Sequence, residues 1–321
     1  MELGTRDELV LLGVLVAVAA LLVAALPLRV PYPILLVVGG LALGFAPGLP
    51  EIRLPPDLVL VVFLPPLLYS AAFFTSLRDL RANLRPISML AVGLVLATMA
   101  AVAVVAHVAV DGLSWQAAFV LGAIVSPTDP LAATSIARRI GLPARVVTIV
   151  EGESLVNDGT ALVLYRVAVA AVVSGAFSVW EAGLSFVLNA VGGIAIGLAV
   201  GYVVRRVRRR LDHPPTEITI SLMTAYFAYL PAEALHVSGV LAAVTVGIYL
   251  GWHAPELITP ETRLMGYATW EILVFLANAA LFVLVGLQLP TVLDGLEGRS
   301  ASFLLGTAAA VSATVIGVRL L

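Results

Sequence analysis

Along this chain, long apolar runs alternate with short clusters of charge, proline and glycine. A bilayer span needs roughly 20 mostly apolar residues. Cutting the chain at the clusters predicts eleven spans, at about 8–28, 32–48, 56–76, 86–110, 114–138, 144–173, 178–205, 216–237, 238–252, 266–290 and 300–321. The ninth is short for a crossing. It is separated from the eighth mainly by Pro231, Glu233 and Gly239. No soluble domain or low-complexity segment interrupts the series.

Composition places the chain in one class. Its 321 residues are 61% hydrophobic and 12% charged, whereas a soluble globular protein is about 45–50% apolar and about 25% charged. One soluble core cannot hide that excess, so the chain reads as an all-α polytopic membrane protein. A net charge of −2 argues against a nucleic-acid partner. With no cysteine, disulfides, thiolate metal sites and thiol catalysis are excluded. All 18 basic residues are arginine, which excludes lysine chemistry. The N-terminus carries Glu2, Asp7 and Glu8 and lacks the basic segment and cleavage site of a signal peptide, so the first run reads as a retained helix.

Arginine placement predicts orientation, because cytoplasmic loops retain positive charge. Loops after odd-numbered spans hold Arg29, then Arg78, Arg81 and Arg85, then Arg138, Arg139 and Arg145, then Arg205, Arg206, Arg208, Arg209 and Arg210, and lastly Arg263. The opposite side holds Arg6, Arg53 and Arg299. That bias puts the N-terminus outside. The run at 205–210 reads as a positive-inside anchor, with a lipid-headgroup or regulatory patch as the alternative. Gly193, Gly197 and Gly201 recur at i+4, as do Gly40, Gly44 and Gly48, and mark faces where helices approach closely.

Against this background the stretch from Ser126 to Asp158 stands out. It sets Asp129, Glu151, Glu153 and Asp158 inside segments that otherwise read as membrane helices. Ionisable groups at that depth are functional candidates by default. Pro127 and Pro130 each lack an N–H and push the preceding residue out of helical geometry, which predicts a break in the fifth span. Irregular backbone inside a membrane survives only when buried in protein or lining a wet cavity, and broken helices mark ion-coupled transporters. Asp129 before Pro130 fits the capping position of a restarting helix; direct ion coordination is the other reading.

In the sixth span Glu151, Ser154 and Asp158 fall at i, i+3 and i+7 on one face, with Glu153 and Asn157 paired on an adjoining one. Counting from Pro143, Asp158 lies roughly 22 Å along the helix, near the membrane centre. Burial favours its neutral form and a bound cation favours the charged one, so the position suits a site for a proton or a small cation. The alternative is a protonated structural aspartate. For Glu153 the best partner is Arg319, also deep in an apolar span. Arg166, eight residues past Asp158, reads as snorkelling to the interface. Glu233, Glu271 and Asn278 read as inter-helix bonds, the four histidines suggest no metal site, and Gln288 and Tyr69 are uninformative alone.

Four stretches carry a resemblance to a known family: FLPPLLYSAAF at 63–73, GAIVSPTDPLA at 122–132, EGESLVNDGTALVLY at 151–165, and the intramembrane arginine in GVRLL. They resemble the sodium/proton exchangers of the first monovalent cation:proton antiporter family, bacterial type. The resemblance implies thirteen helices in two inverted repeats, a transport core moving against a dimerisation scaffold, and a homodimer in the cell membrane. Residues 1–85 would be scaffold, 86–175 transport core, 176–295 linker and scaffold, and 296–321 the start of the second half of the core. With about eleven of thirteen spans and an end at Leu321 inside an apolar run, the sequence reads as C-terminally truncated.

By position, Asp158 would be the ion- and proton-binding aspartate, Asn157 its neighbour typical of electroneutral members, and Ser154 and the Thr128 carbonyl cation ligands. Asp129 would be the acid of the broken helix, and Glu153 with Arg319 a core salt bridge. Some members carry an acid in the third helix where Ser70 stands, so Ser70 marks the third-helix contribution here. The implied activity is exchange of Na+, and Li+ with it, for H+ with no cofactor and no enzymatic chemistry. Potassium/proton exchange is the nearer alternative. A cation channel and an intramembrane aspartyl protease are the remoter ones, and the usual GxGD form of the latter is missing.

Overall fold

In the computed structural model the described residues are 31–45, 56–174, 179–295 and 300–320, with a few positions between 16 and 23. The first predicted span, 8–28, lies almost wholly outside them, as do Arg6, Arg29, Arg53 and Arg299. Every regular element among the described residues is helical. The helices are α1 (Tyr32–Gly44), α2 (Pro56–Phe74), α3 (Leu77–Ala82), α4 (Leu84–Ala109, with a π-helical stretch at Met89–Leu94), α5 (Trp115–Val125) and α6 (Pro130–Arg139). They continue with α7 (Ala144–Ser174), α8 (Val179–Arg208), α9 (Pro214–Ala234), α10 (Gly239–Leu257), α11 (Pro260–Asp294) and α12 (Ala301–Leu320). Six of these helices are long and apolar enough to cross a bilayer: α4, α7, α8, α10, α11 and α12.

Local chemistry sets the ends. Ser76, Ser114 and Ser238 each accept a hydrogen bond from the backbone N–H three residues on, the standard N-terminal cap. Pro130, Pro214 and Pro260 open α6, α9 and α11, where the missing N–H is no loss. After α6 the chain turns through Gly141 at φ 71°, and the Leu142 N–H returns to the Ala137 carbonyl. That left-handed closure suits glycine.

Three boundaries differ from the sequence reading. Residues 77–82 form the short helix α3 instead of loop, because Ser76 caps it at Asp79 N, 3.4 Å away. The ninth segment runs to Leu257 and the tenth spans Pro260–Asp294, both past the predicted limits. Hydropathy falls at Trp252–Pro255 and at Pro290, yet a proline near a helix end removes only one or two backbone bonds and the turns continue through it.

The chain divides into two compact units, residues 1–63 with 268–299, and 64–267 with 300–321. In the first, α1 lies against the later part of α11 around Leu36, Ala279 and Val283. A Cβ on Gly40 would collide with the Val283 carbonyl, and one on Gly44 would stand 2.9 Å from Pro290. In the second, α4, α5 and α7 meet at Met99, Ala123 and Ala168, and α12 packs on α4. The α8 glycines lie against α10: a Cβ on Gly197 would be 2.6 Å from the Ala242 carbonyl and one on Gly201 2.7 Å from the Tyr249 ring. Large apolar side chains such as Val108, Val173 and Leu305 point outward, a surface suited to lipid or further protein.

Candidate functional site

The site is built where α5 stops. Pro127 and Pro130 bracket Thr128 and Asp129, and the backbone of Ser126–Asp129 is non-helical between α5 and α6. Ser126 is fully buried and donates from Oγ to the Ala123 carbonyl at 3.2 Å. Its own carbonyl accepts from Nη2 of Arg319 at 3.1 Å.

Glu153, on α7, is the hub. Its Oε1 accepts from Arg319 Nη1 and Nη2, each at 3.4 Å, from Thr128 Oγ1 at 3.4 Å and from Asn157 Nδ2 at 3.2 Å. One carboxylate oxygen thus ties α12, the interrupted segment and the next turn of its own helix together. The Glu153 side chain is 7% exposed and that of Arg319 22%, so the charge pair is largely desolvated and geometry matters more than at a surface.

Asn157 is fully buried. A carboxylate only accepts, so Asn157 must turn its amide nitrogen to Glu153 and its oxygen away. That Oδ1 is buried and has no hydrogen-bond partner among the described residues. Leaving such an acceptor unfilled costs about 1–3 kcal/mol. Asp158 follows it, half-buried, with the acids Asp129 and Glu153 among the charged groups around it. Ser154 is buried one turn earlier, and Asp129 is exposed. Ser70 belongs to α2 and donates to the Leu67 carbonyl of its own helix at 2.9 Å. Among the described residues, no group of three or more His, Asp and Glu side chains is arranged to hold a metal ion.

Four further ionic contacts among the described residues escaped the sequence reading. Arg208, read as part of an anchoring run, is buried at 2% exposure and faces Glu217 at 1%, with Nη2 and Oε2 3.5 Å apart. Thr262 Oγ1 reaches Glu217 Oε1 at 3.5 Å, and Tyr69, also fully buried, shares a 3.2 Å hydrogen bond with Ser221 one turn further along α9. The available signal was Glu217 itself, an acid in the first turn of an apolar helix directly after the arginine run. Arg205 and Arg209 instead share the exposed Glu256, at 3.2 and 3.4 Å. The fourth contact joins Arg166 on α7 to Glu233 on α9 at 2.8 Å.

The family model described as "Sodium/hydrogen exchanger, transmembrane" matches residues 13–321. The chain belongs to that family. It is 41% identical over 317 residues to an uncharacterized Na(+)/H(+) exchanger of Mycobacterium tuberculosis, covering 96% of this chain and 58% of the relative. A sodium, potassium, lithium and rubidium/H(+) antiporter of Bacillus pumilus is 38% identical over 274 residues, 82% of this chain and 40% of its own. The chain therefore spans about three fifths or less of these curated relatives. The structure of the sodium proton antiporter of Methanocaldococcus jannaschii at pH 8 superposes with a TM-score of 0.72 at 20% identity, covering 100% of this chain and 90% of that one. The exchanger fold is thus shared, and the named relatives are transporters, not enzymes.

Proposed function

We propose that the protein exchanges Na+ for H+ across the cell membrane, with Asp158 as the group that carries one or the other. The observation that supports this most directly is the buried Oδ1 of Asn157 beside Asp158, unpartnered among the described residues and held in that orientation by Glu153. A cation between Asp158 and Asn157 would fill the vacant acceptor, with Ser154 and the Thr128 carbonyl completing an oxygen shell. Either guest neutralises Asp158. An empty, charged carboxylate is penalised when the site crosses hydrocarbon, which couples the two fluxes. Exchange of one Na+ for one H+ moves no net charge, and the Glu153–Arg319 pair carries none with it because its two charges cancel.

The architecture that goes with this reading has α5 and α6 as two halves of one interrupted span. It has eleven of the thirteen helices of an inverted-repeat antiporter, an outside N-terminus and a homodimer. Residues 86–175 and 296–321 would belong to the moving core, and 1–85 and 176–295 to the scaffold and linker. Asp129 lies close enough to adjust the charge around Asp158, and Ser70 would add at most a hydroxyl from α2. No cofactor is needed.

Reconstituted in vesicles, Asp158→Asn should abolish sodium-driven proton flux, and retained flux would overturn the assignment. Running Na+, Li+ and K+ side by side separates the sodium reading from potassium/proton exchange. The Bacillus pumilus relative, named for four alkali cations, makes K+ a reading to test. A channel using the same acids would pass current without a counter-ion, and the exchanger should pass none.

A further inference from the structure

We propose that the Arg166–Glu233 ion pair is a latch on the outer side of the transport path, closed in this conformation and opened when the Asp158 site faces outward. The proposal rests on the exchanger reading and on the orientation given by the arginine bias. Arg166 sits eight residues beyond Asp158 on α7, about 12 Å further along the axis and away from the arginine-rich side. Its Nη2 donates to Glu233 Oε2 at 2.8 Å. The other oxygen of Glu233 accepts from the Gly239 N–H at 3.2 Å, so the same carboxylate caps the start of α10.

The turn that Arg166 grips is itself well fastened. His236 closes α9 at φ 56°, the Val237 N–H returns to the Ala232 carbonyl at 2.9 Å, and the Ser238 N–H reaches the Asn189 carbonyl of α8 at 3.2 Å. Ser238 also caps α10 through Leu241 N. Any displacement of α7 along with its bound ion therefore moves Arg166 against a fixed partner. The pair is also weak enough to release. The side chains are 45% and 28% exposed, and ion pairs of that exposure contribute little to stability. The buried Glu153–Arg319 pair could not open so cheaply.

The absence of cysteine from the sequence gives a clean test. In the otherwise unchanged chain, Arg166→Cys and Glu233→Cys are combined, and a thiol-specific, reducible bifunctional reagent long enough to replace the two side chains is applied to proteoliposomes. The crosslinked double variant should lose sodium-driven proton flux and regain it on reduction, while the two single variants ignore the reagent. Full flux in the crosslinked protein would overturn the latch, because the contact would then persist through turnover. Failure to crosslink would overturn it too, since the contact would not be made in the bilayer. A double variant inactive before the reagent is added, beside an active parent, would also overturn the latch, since the pair would then be needed throughout turnover and not opened and closed. If the parent itself shows no flux with any alkali cation, the exchanger reading fails and the latch falls with it.

Discussion

Removing Arg319 is the sharpest perturbation of the site. In Arg319→Leu, Glu153 loses two contacts at 3.4 Å and keeps only the neutral donors Thr128 and Asn157, and the Ser126 carbonyl loses its 3.1 Å partner. Taking one member from a buried ion pair costs about 3–5 kcal/mol. The 3.4 Å separations are long for charge-assisted bonds and Arg319 keeps 22% exposure, which places the loss at about 3 kcal/mol. At about 1.4 kcal/mol per factor of ten, the folded population falls roughly a hundredfold against the unfolded. Adding Glu153→Gln removes the stranded charge, so the double variant should be more stable than Arg319→Leu alone. Denaturant unfolding of the four proteins in detergent, followed by tryptophan fluorescence, measures the cycle. If the two substitutions simply add, the residues are not coupled and the hub described around Glu153 Oε1 does not exist in solution.

The same logic separates arginines within one run. Arg208→Gln should lower stability by about 3 kcal/mol or more because it strands Glu217 at 1% exposure, whereas Arg205→Gln, whose partner Glu256 is 62% exposed, should change it by less than about 1 kcal/mol. Equal losses in thermal unfolding would refute the burial of Arg208. Gly197→Ala pushes a methyl against the Ala242 backbone at 2.6 Å and should destabilise by about 1–3 kcal/mol. Gly183→Ala meets nothing within 4 Å and should raise stability by up to about 1 kcal/mol through helix propensity. Opposite signs in the two melting shifts are the expected result.

The described spans were legible because a membrane helix is written in length and hydropathy, and both survive local irregularity. α4 is recognisable in the sequence although Met89–Leu94 is π-helical, because widening one turn leaves the apolar count unchanged. The stretch 126–158 was legible for the opposite reason, since its prolines and acids violate the pattern that surrounds them. Hydropathy does not say which charges meet. Arg205, Arg208 and Arg209 are alike in the sequence. Arg205 on α8 and Arg209 in the turn just past it, whose N–H bonds the Arg205 carbonyl, both reach Glu256, while Arg208 is turned toward α9 and is buried on Glu217. The partner's register decides the outcome, and that register is set by the packing of α8 against α9 and α10, through contacts far apart in the chain. An acid in the first turn after a basic run is therefore the feature to weigh. A run that only anchors a helix to headgroups requires no buried carboxylate opposite it, and Glu217 in an apolar helix demands a cation.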